Sequence, residues 1–212
     1  MSKSLHTITK TEADQLLTHL LCESPSQIRT NKGIRNYTMA LLMLDAGLRV
    51  GEVTKLYQID FLYQGKLKDS LVLSESITKR GRERTVPLST RLHRAIELMN
   101  ENIWPVTHGA ESHCAFFNTD GSQHLTARQV QRIIKDASLR AFGRAIHPHI
   151  LRHTFATNLM RTCNIRIVQE LLGHKNLSST QVYTHPGLDD LKNAINGIGN
   201  PEVTGIVNKI VS

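Results

Sequence analysis

Four side chains in the C-terminal part of this 212-residue chain could act together on a phosphate. His149 and Arg152 stand three positions apart in a helical stretch, which places them on one face. His174 follows Gly173 at a helix end, and Tyr183 comes nine residues later. An imidazole can move a proton, a guanidinium can hold two phosphate oxygens, and a phenolate can attack phosphorus. No carboxylate cluster accompanies them, so nothing resembles a two-metal phosphodiester site. Phosphoryl transfer without a metal needs other cations for the transition-state charge, and arginines supply them.

The surrounding segment is rich in such cations. From Thr126 to Arg166 the chain carries Arg128, Arg132, Lys135, Arg140, Arg144, Arg152, Arg161 and Arg166 against Asp136 alone. The whole chain has 26 Lys and Arg against 18 Asp and Glu, a net charge of +8. A solvated helix face would show the same stripe. The preponderance of arginine over lysine favours phosphate, whose oxygens match the guanidinium fork.

The elements that must position these groups are mostly helices. Thr9-Lys10-Thr11-Glu12 is a capping box before Ala13, Leu16, Leu17, Leu20 and Leu21, which recur at helical spacing. A second helix is expected from about Lys32 to Asp45, with Gly47 as its C-cap, and a short third one from Arg49 to Leu56. Phe61-Leu62-Tyr63, Leu71-Val72-Leu73 and Thr85-Val86-Pro87-Leu88 have the look of short strands, predicting one antiparallel sheet of about three strands. Helices resume after Ser89 and after Thr126, the latter with Val130, Ile133, Ile134 and Ala137 inward and Arg128, Arg132 and Lys135 outward. Pro148 opens the next helix, which Asn164 ends, and Ile167, Val168, Leu171 and Leu172 form another, stopped by Gly173. Ser178 or Ser179 would cap a short helix carrying Tyr183. The fold class expected is α+β, mainly helical.

Composition bounds the rest. With 40% hydrophobic and 21% charged residues, the chain is an ordinary globular protein rather than collagenous, disordered or a disulfide scaffold. Its longest apolar run, Met39 to Leu44, is far short of the roughly 20 residues a membrane span needs. No secretory signal is legible, and a cytoplasmic protein is the default expectation. Cys22, Cys114 and Cys163 are far apart with no C-x-x-C pair, and read as reduced bystanders.

Three motifs then carry a resemblance. HPHILRHTFATNLMR followed by LLGHKNLSSTQVYTH resembles the active-site region of the tyrosine recombinase, or phage integrase, family, and LDAGLRVGEV resembles its first arginine motif. The likeness runs from about Thr9 to His185. It implies a tyrosine-recombinase-type catalytic domain that cleaves and rejoins DNA strands through a 3′-phosphotyrosine, without metal, ATP or other cofactor. By position the family's arginines fall on Arg49 and Arg152, its histidines on His149 and His174, and its nucleophile on Tyr183. The family's hairpin lysine matches best to Lys79 in ITKRGRERTVPL. Glu52 would orient Arg49, and His153 would pack near the site. Arg80, Arg82 and Arg84 would contact DNA together with Arg128, Arg132 and Lys135.

Blander readings exist for these residues. Arg49 and Glu52 could be a surface helix pair, and His149 with His153 could be a zinc pair, although no third ligand stands at metal spacing. At the level of function the alternatives are a type IB topoisomerase, a non-catalytic DNA-binding regulator of the same fold and, most distantly, a zinc hydrolase.

The resemblance also implies partners: double-stranded DNA, a homo-oligomer, expected to be a tetramer on DNA, and in some members an accessory DNA-bending protein. The catalytic domain is expected over residues 1–186, without the family's N-terminal core-binding domain, and a helical tail over 187–212. The tail carries one apolar stripe of Leu188, Leu191, Ala194, Ile195 and Ile198, and a second beyond Pro201. It would pack on its own core or, as the resemblance suggests, on a neighbouring protomer.

Overall fold

The computed structural model describes residues 7–21, 26–78, 83–106, 113–118, 123–173, 192 and 195–196. Helix α1, Lys10–Leu21, starts at the expected capping box: Thr9 N donates to Glu12 Oε2 at 2.8 Å, and Glu12 N donates to Thr9 Oγ1 at 3.1 Å. Helix α2 is Gln27–Leu44, and its Met39 to Leu44 run is buried all round, between α1, α5 (Thr90–Asn102) and α7 (Pro148–Thr162). An apolar run with no polar face is what a central helix requires. It begins five residues before the expected Lys32 because its first turn is exposed and carries no apolar periodicity.

The end of α2 is clasped to the start of α5. Asp45 is fully buried and accepts from Ser89 Oγ at 2.7 Å and from Arg91 Nε and Nη2 at 2.6 and 2.5 Å. Ser89 also caps α5 by accepting from Leu92 N. A buried carboxylate is tolerable here because a bidentate guanidinium and a hydroxyl satisfy it. Gly47 then turns the chain at φ 63°, and any Cβ there would collide with the Phe155 ring.

Helix α3 is a single turn, Val50–Val53, with Arg49 at its N-cap, shorter than the expected Arg49–Leu56. After α4, Gln58–Phe61, the strands among the described residues form two two-stranded antiparallel sheets rather than one of three strands. β1, Leu62–Tyr63, pairs with β2, Lys66–Leu67; β3, Ser70–Leu73, pairs with β4, Arg84–Pro87, with Leu73 opposite Arg84. A two-residue strand such as β2 is defined by its partner and leaves no alternation to read.

Helix α6, Ala127–Phe142, is capped by Thr126 as expected, and buries Val130, Ile134 and Ala137 while Arg128, Arg132 and Lys135 are exposed. α7 has Pro148 at its first turn and ends at Cys163. Asn164 instead begins α8, Ile165–Leu172, its Oδ1 accepting from Arg166 N. Of the tail, Lys192, Ile195 and Asn196 are described, and Ile195 is fully buried in this chain's own core. No helix among the described residues is long and apolar enough to cross a membrane.

Candidate active site

The site is organised around one carboxylate. Glu52 occupies the first turn of α3, where a negative charge suits the unpaired N–H groups, and its Oε2 accepts from Arg49 N at 2.8 Å. Its Oε1 accepts from Arg49 Nη1 at 2.8 Å. Arg84, the first residue of β4, donates Nη1 to Oε1 at 3.1 Å and Nη2 to Oε2 at 2.7 Å. Arg152 Nη1 stands 3.9 Å from the same Oε2. Three arginines from α3, β4 and α7 thus surround a carboxylate that is 1% exposed.

The end of α8 closes the other side. A helix leaves its last four carbonyls without intrahelical partners. Here the Gly173 N–H, in the left-handed conformation at φ 61°, serves Gln169 and Glu170. Arg84 Nε serves Leu171 at 3.0 Å, and Arg152 Nη2 serves Leu172 at 2.8 Å. Two cations at a helix C-terminus also meet its dipole favourably. Arg152 Nη1 donates to the carbonyl of Gly47, so the α2–α3 turn, α7 and α8 are pinned to a single guanidinium.

The electrostatics leave an excess of positive charge. Burial alone would raise the Glu52 pKa, but the hydrogen bonds and charge of Arg84, with the backbone and side-chain hydrogen bonds of Arg49, outweigh it and hold the carboxyl below its ordinary 4.5. Arg152 is pushed down to about 9 by burial and then by Arg49 and Arg84, with Glu52 pulling the other way. It stays charged at neutral pH. Among the described residues, three cations stand against one carboxylate, a surplus of positive charge that a phosphodiester would neutralise, and more so as charge builds on it in the transition state.

Of the residues expected from sequence, Arg49, Glu52 and Arg152 meet here, with the Arg49 side chain 21% exposed and that of Arg152 7%. The surface-pair reading of Arg49 and Glu52 fails, because Glu52 is buried and shared. His149 and His153 are exposed one turn apart on α7, their rings edge to face with centroids 5.4 Å apart, so His153 is not packed inside. Among the described residues no group of three or more His, Cys, Asp or Glu could hold a metal ion. Lys79, Arg80, Arg82, His174 and Tyr183 lie outside the described residues.

Arg84 departs from expectation. Grouped with Arg80 and Arg82 as a DNA contact, it is instead buried, because the inward carboxylate of Glu52 and the open end of α8 both require a cation. Sequence reasoning also missed the carbonyls of Gly47 and Leu172 as arginine anchors. The helix-ending glycines, Gly47 itself and Gly173 next to Leu172, were their signal.

The sequence model described as the phage integrase family matches residues 6–188, most of the chain. The chain belongs to the phage integrase family. Among curated relatives, tyrosine recombinase XerC of Bacillus pumilus is 38% identical over 173 residues, covering 79% of this chain and 54% of that protein. XerC of Pelobacter propionicus is 37% identical over 174 residues, covering 81% and 54%. The chain thus spans about half the length of these phage integrase relatives. Solved structures share the fold: XerA recombinase at a TM-score of 0.66 and 23% identity, covering 88% of this chain and 62% of that one. XerH bound to its difH substrate in a pre-cleavage complex follows at a TM-score of 0.59 and 20% identity, covering 95% and 52%.

Proposed function

We propose that this chain is the catalytic part of a tyrosine-type site-specific DNA recombinase, which cleaves and rejoins DNA strands without metal or ATP. The observation that carries the reading is the convergence of Arg49 and Arg152, from separate motifs, on one buried carboxylate with positive charge to spare. The recombinase name of the XerC relatives, and the structurally similar Tn1549 transposon integrase in complex with transposon right end DNA, support double-stranded DNA as the partner.

In this reading Arg49 and Arg152 hold the non-bridging oxygens of the scissile phosphate, and His174 donates a further hydrogen bond. Tyr183 attacks phosphorus as its phenolate. A free tyrosine is only ~0.1% ionised at pH 7, and reaching that form costs roughly 4 kcal/mol, so cations and a base must assist. His149, exposed at the start of α7, is the base or proton relay. The P–O5′ bond breaks as the Tyr183–phosphorus bond forms, and Lys79 gives the leaving 5′ oxygen its proton. The 3′-phosphotyrosine conserves the bond, so a free 5′-hydroxyl reverses the step without ATP. Exchange of strands between two duplexes takes four such protomers, and the work is cytoplasmic; an accessory DNA-bending protein is compatible with this scheme.

The test is cleavage of a nicked duplex in EDTA without ATP, read on a denaturing gel. A protein–DNA adduct that depends on DNA sequence supports the recombinase. An adduct without site preference moves the chain to a type IB topoisomerase, and tight binding with no adduct to a DNA-binding regulator.

A further inference from the structure

Of the three arginines around Glu52, Arg84 is the most deeply buried. Its Nη1 and Nη2 reach the two carboxylate oxygens at 3.1 and 2.7 Å, its Nε reaches the Leu171 carbonyl at 3.0 Å, and its side chain is 2% exposed. Each of its nitrogens is bonded to the protein. With 2% of its side chain exposed, this guanidinium faces Glu52 and the end of α8 rather than outward, where a DNA-contacting arginine would stand.

What it does instead follows from what a buried carboxylate demands. Left short of partners, such a group draws in the nearest cation. Those within reach are Arg49, already bonded through Nη1 at 2.8 Å, and Arg152, whose Nη1 is 3.9 Å from Oε2. With Arg84 forked across both oxygens, Glu52 takes one side-chain bond from Arg49, and Arg152 stays anchored on Gly47 and Leu172. The Arg84 Nε bond also fixes the end of α8, and the Cδ of Arg84 packs against Gly173, where a Cβ would stand 3.1 Å away. His174 is the next residue in the chain.

We infer that Arg84 is a positioning residue of the active site: it saturates Glu52 and caps α8, and so sets the distances at which Arg49 and Arg152 stand from that carboxylate. This rests on the strand-transferase reading above. A fork is needed for the role. A lysine in its place would return the charge but not the second nitrogen or the reach to Leu171.

Arg84→Gln and Arg84→Lys in the full chain test it, by DNA affinity, by the salt dependence of that affinity, by single-turnover cleavage of saturating nicked DNA, and by thermal melting. Positioning predicts affinity and salt slope within about twofold of wild type. Cleavage should fall on the order of tenfold or more, less than the ~10²- to 10³-fold of losing a transition-state donor outright, with partial rescue in Arg84→Lys. Weaker binding with a salt slope shallower by about 1 would make Arg84 a phosphate ligand and overturn the inference. So would a lowered melting temperature with cleavage unchanged, which marks a merely structural cation. Should Arg84→Gln fail to fold, Arg84→Lys decides alone: cleavage equal to wild type overturns the proposal. A wild-type chain that never forms an adduct removes the strand-transferase reading and this inference with it.

Discussion

The guanidinium of Arg152 is hydrogen-bonded to the carbonyl oxygen of Gly47, two residues before Arg49. The turn that ends α2 therefore places one arginine by its sequence and the other by its backbone oxygen. Gly47→Ala should disturb both. A side chain at φ 63° is strained, and this one would also strike the Phe155 ring. The expected loss is about 1–3 kcal/mol of stability by urea unfolding, with slower cleavage at saturating DNA. A variant as stable and as fast as wild type would show that the turn does not position the arginines.

Removing the charge of Glu52 has a larger predicted effect. Glu52→Gln leaves Arg84 and Arg152 buried beside a neutral amide, and breaking a buried pair from one side costs roughly 3–5 kcal/mol. Urea unfolding at pH 7 checks this, and a loss below about 1 kcal/mol would contradict the shared-carboxylate geometry.

The pH dependence of that contribution has a definite sign. The carboxyl of Glu52 is held below its ordinary 4.5 in the folded chain, so the unfolded chain takes up its proton first as the pH falls. The stabilisation is present in full above the unfolded pKa and is lost as pH drops through the lowered folded value. Wild type should thus lose stability more steeply than Glu52→Gln on acidification below pH 4.5. Parallel curves would refute it.

The exposed face of α6 should behave differently from Arg84. Single alanine substitutions at Arg128, Arg132 or Lys135 are expected to weaken DNA binding uniformly across sequences, lower the salt slope by about 1 for each phosphate no longer neutralised, and leave melting unchanged. An unaltered salt slope in all three would return α6 to the status of a solvated face.

His149 is exposed at the start of α7, so its replacement should spare the fold. His149→Ala is expected to slow cleavage by about 10²- to 10⁴-fold at saturating DNA with affinity retained. A rate within a few-fold of wild type would exclude it as base or relay.

Much of this fold is legible in the sequence where its cause is local. The capping box Thr9–Glu12, Thr126 before α6, Pro148 at the first turn of α7 and Gly173 at the end of α8 each lie within four residues of what they explain. Non-local causes are not legible in this way. Arg80, Arg82 and Arg84 form one charge run in sequence, yet Arg84 is drawn inward by Glu52, far away in sequence on α3. Likewise β2 exists only through its pairing with β1, and the start of α2 has an exposed first turn with no apolar signal. The arginines of the site are legible by motif. Their anchoring to Gly47, Leu171 and Leu172 through carbonyl oxygens involves backbone atoms that no residue type announces.

In the proposed mechanism Tyr183 becomes covalently joined to DNA. The most direct measurement is peptide mapping by mass spectrometry of the adduct formed on a nicked suicide substrate, with Tyr183→Phe run beside wild type. The expected result is a nucleotide-bearing peptide that contains Tyr183 in the wild type and no adduct in the variant. An adduct mapping to another residue, or one that persists in Tyr183→Phe, would contradict it.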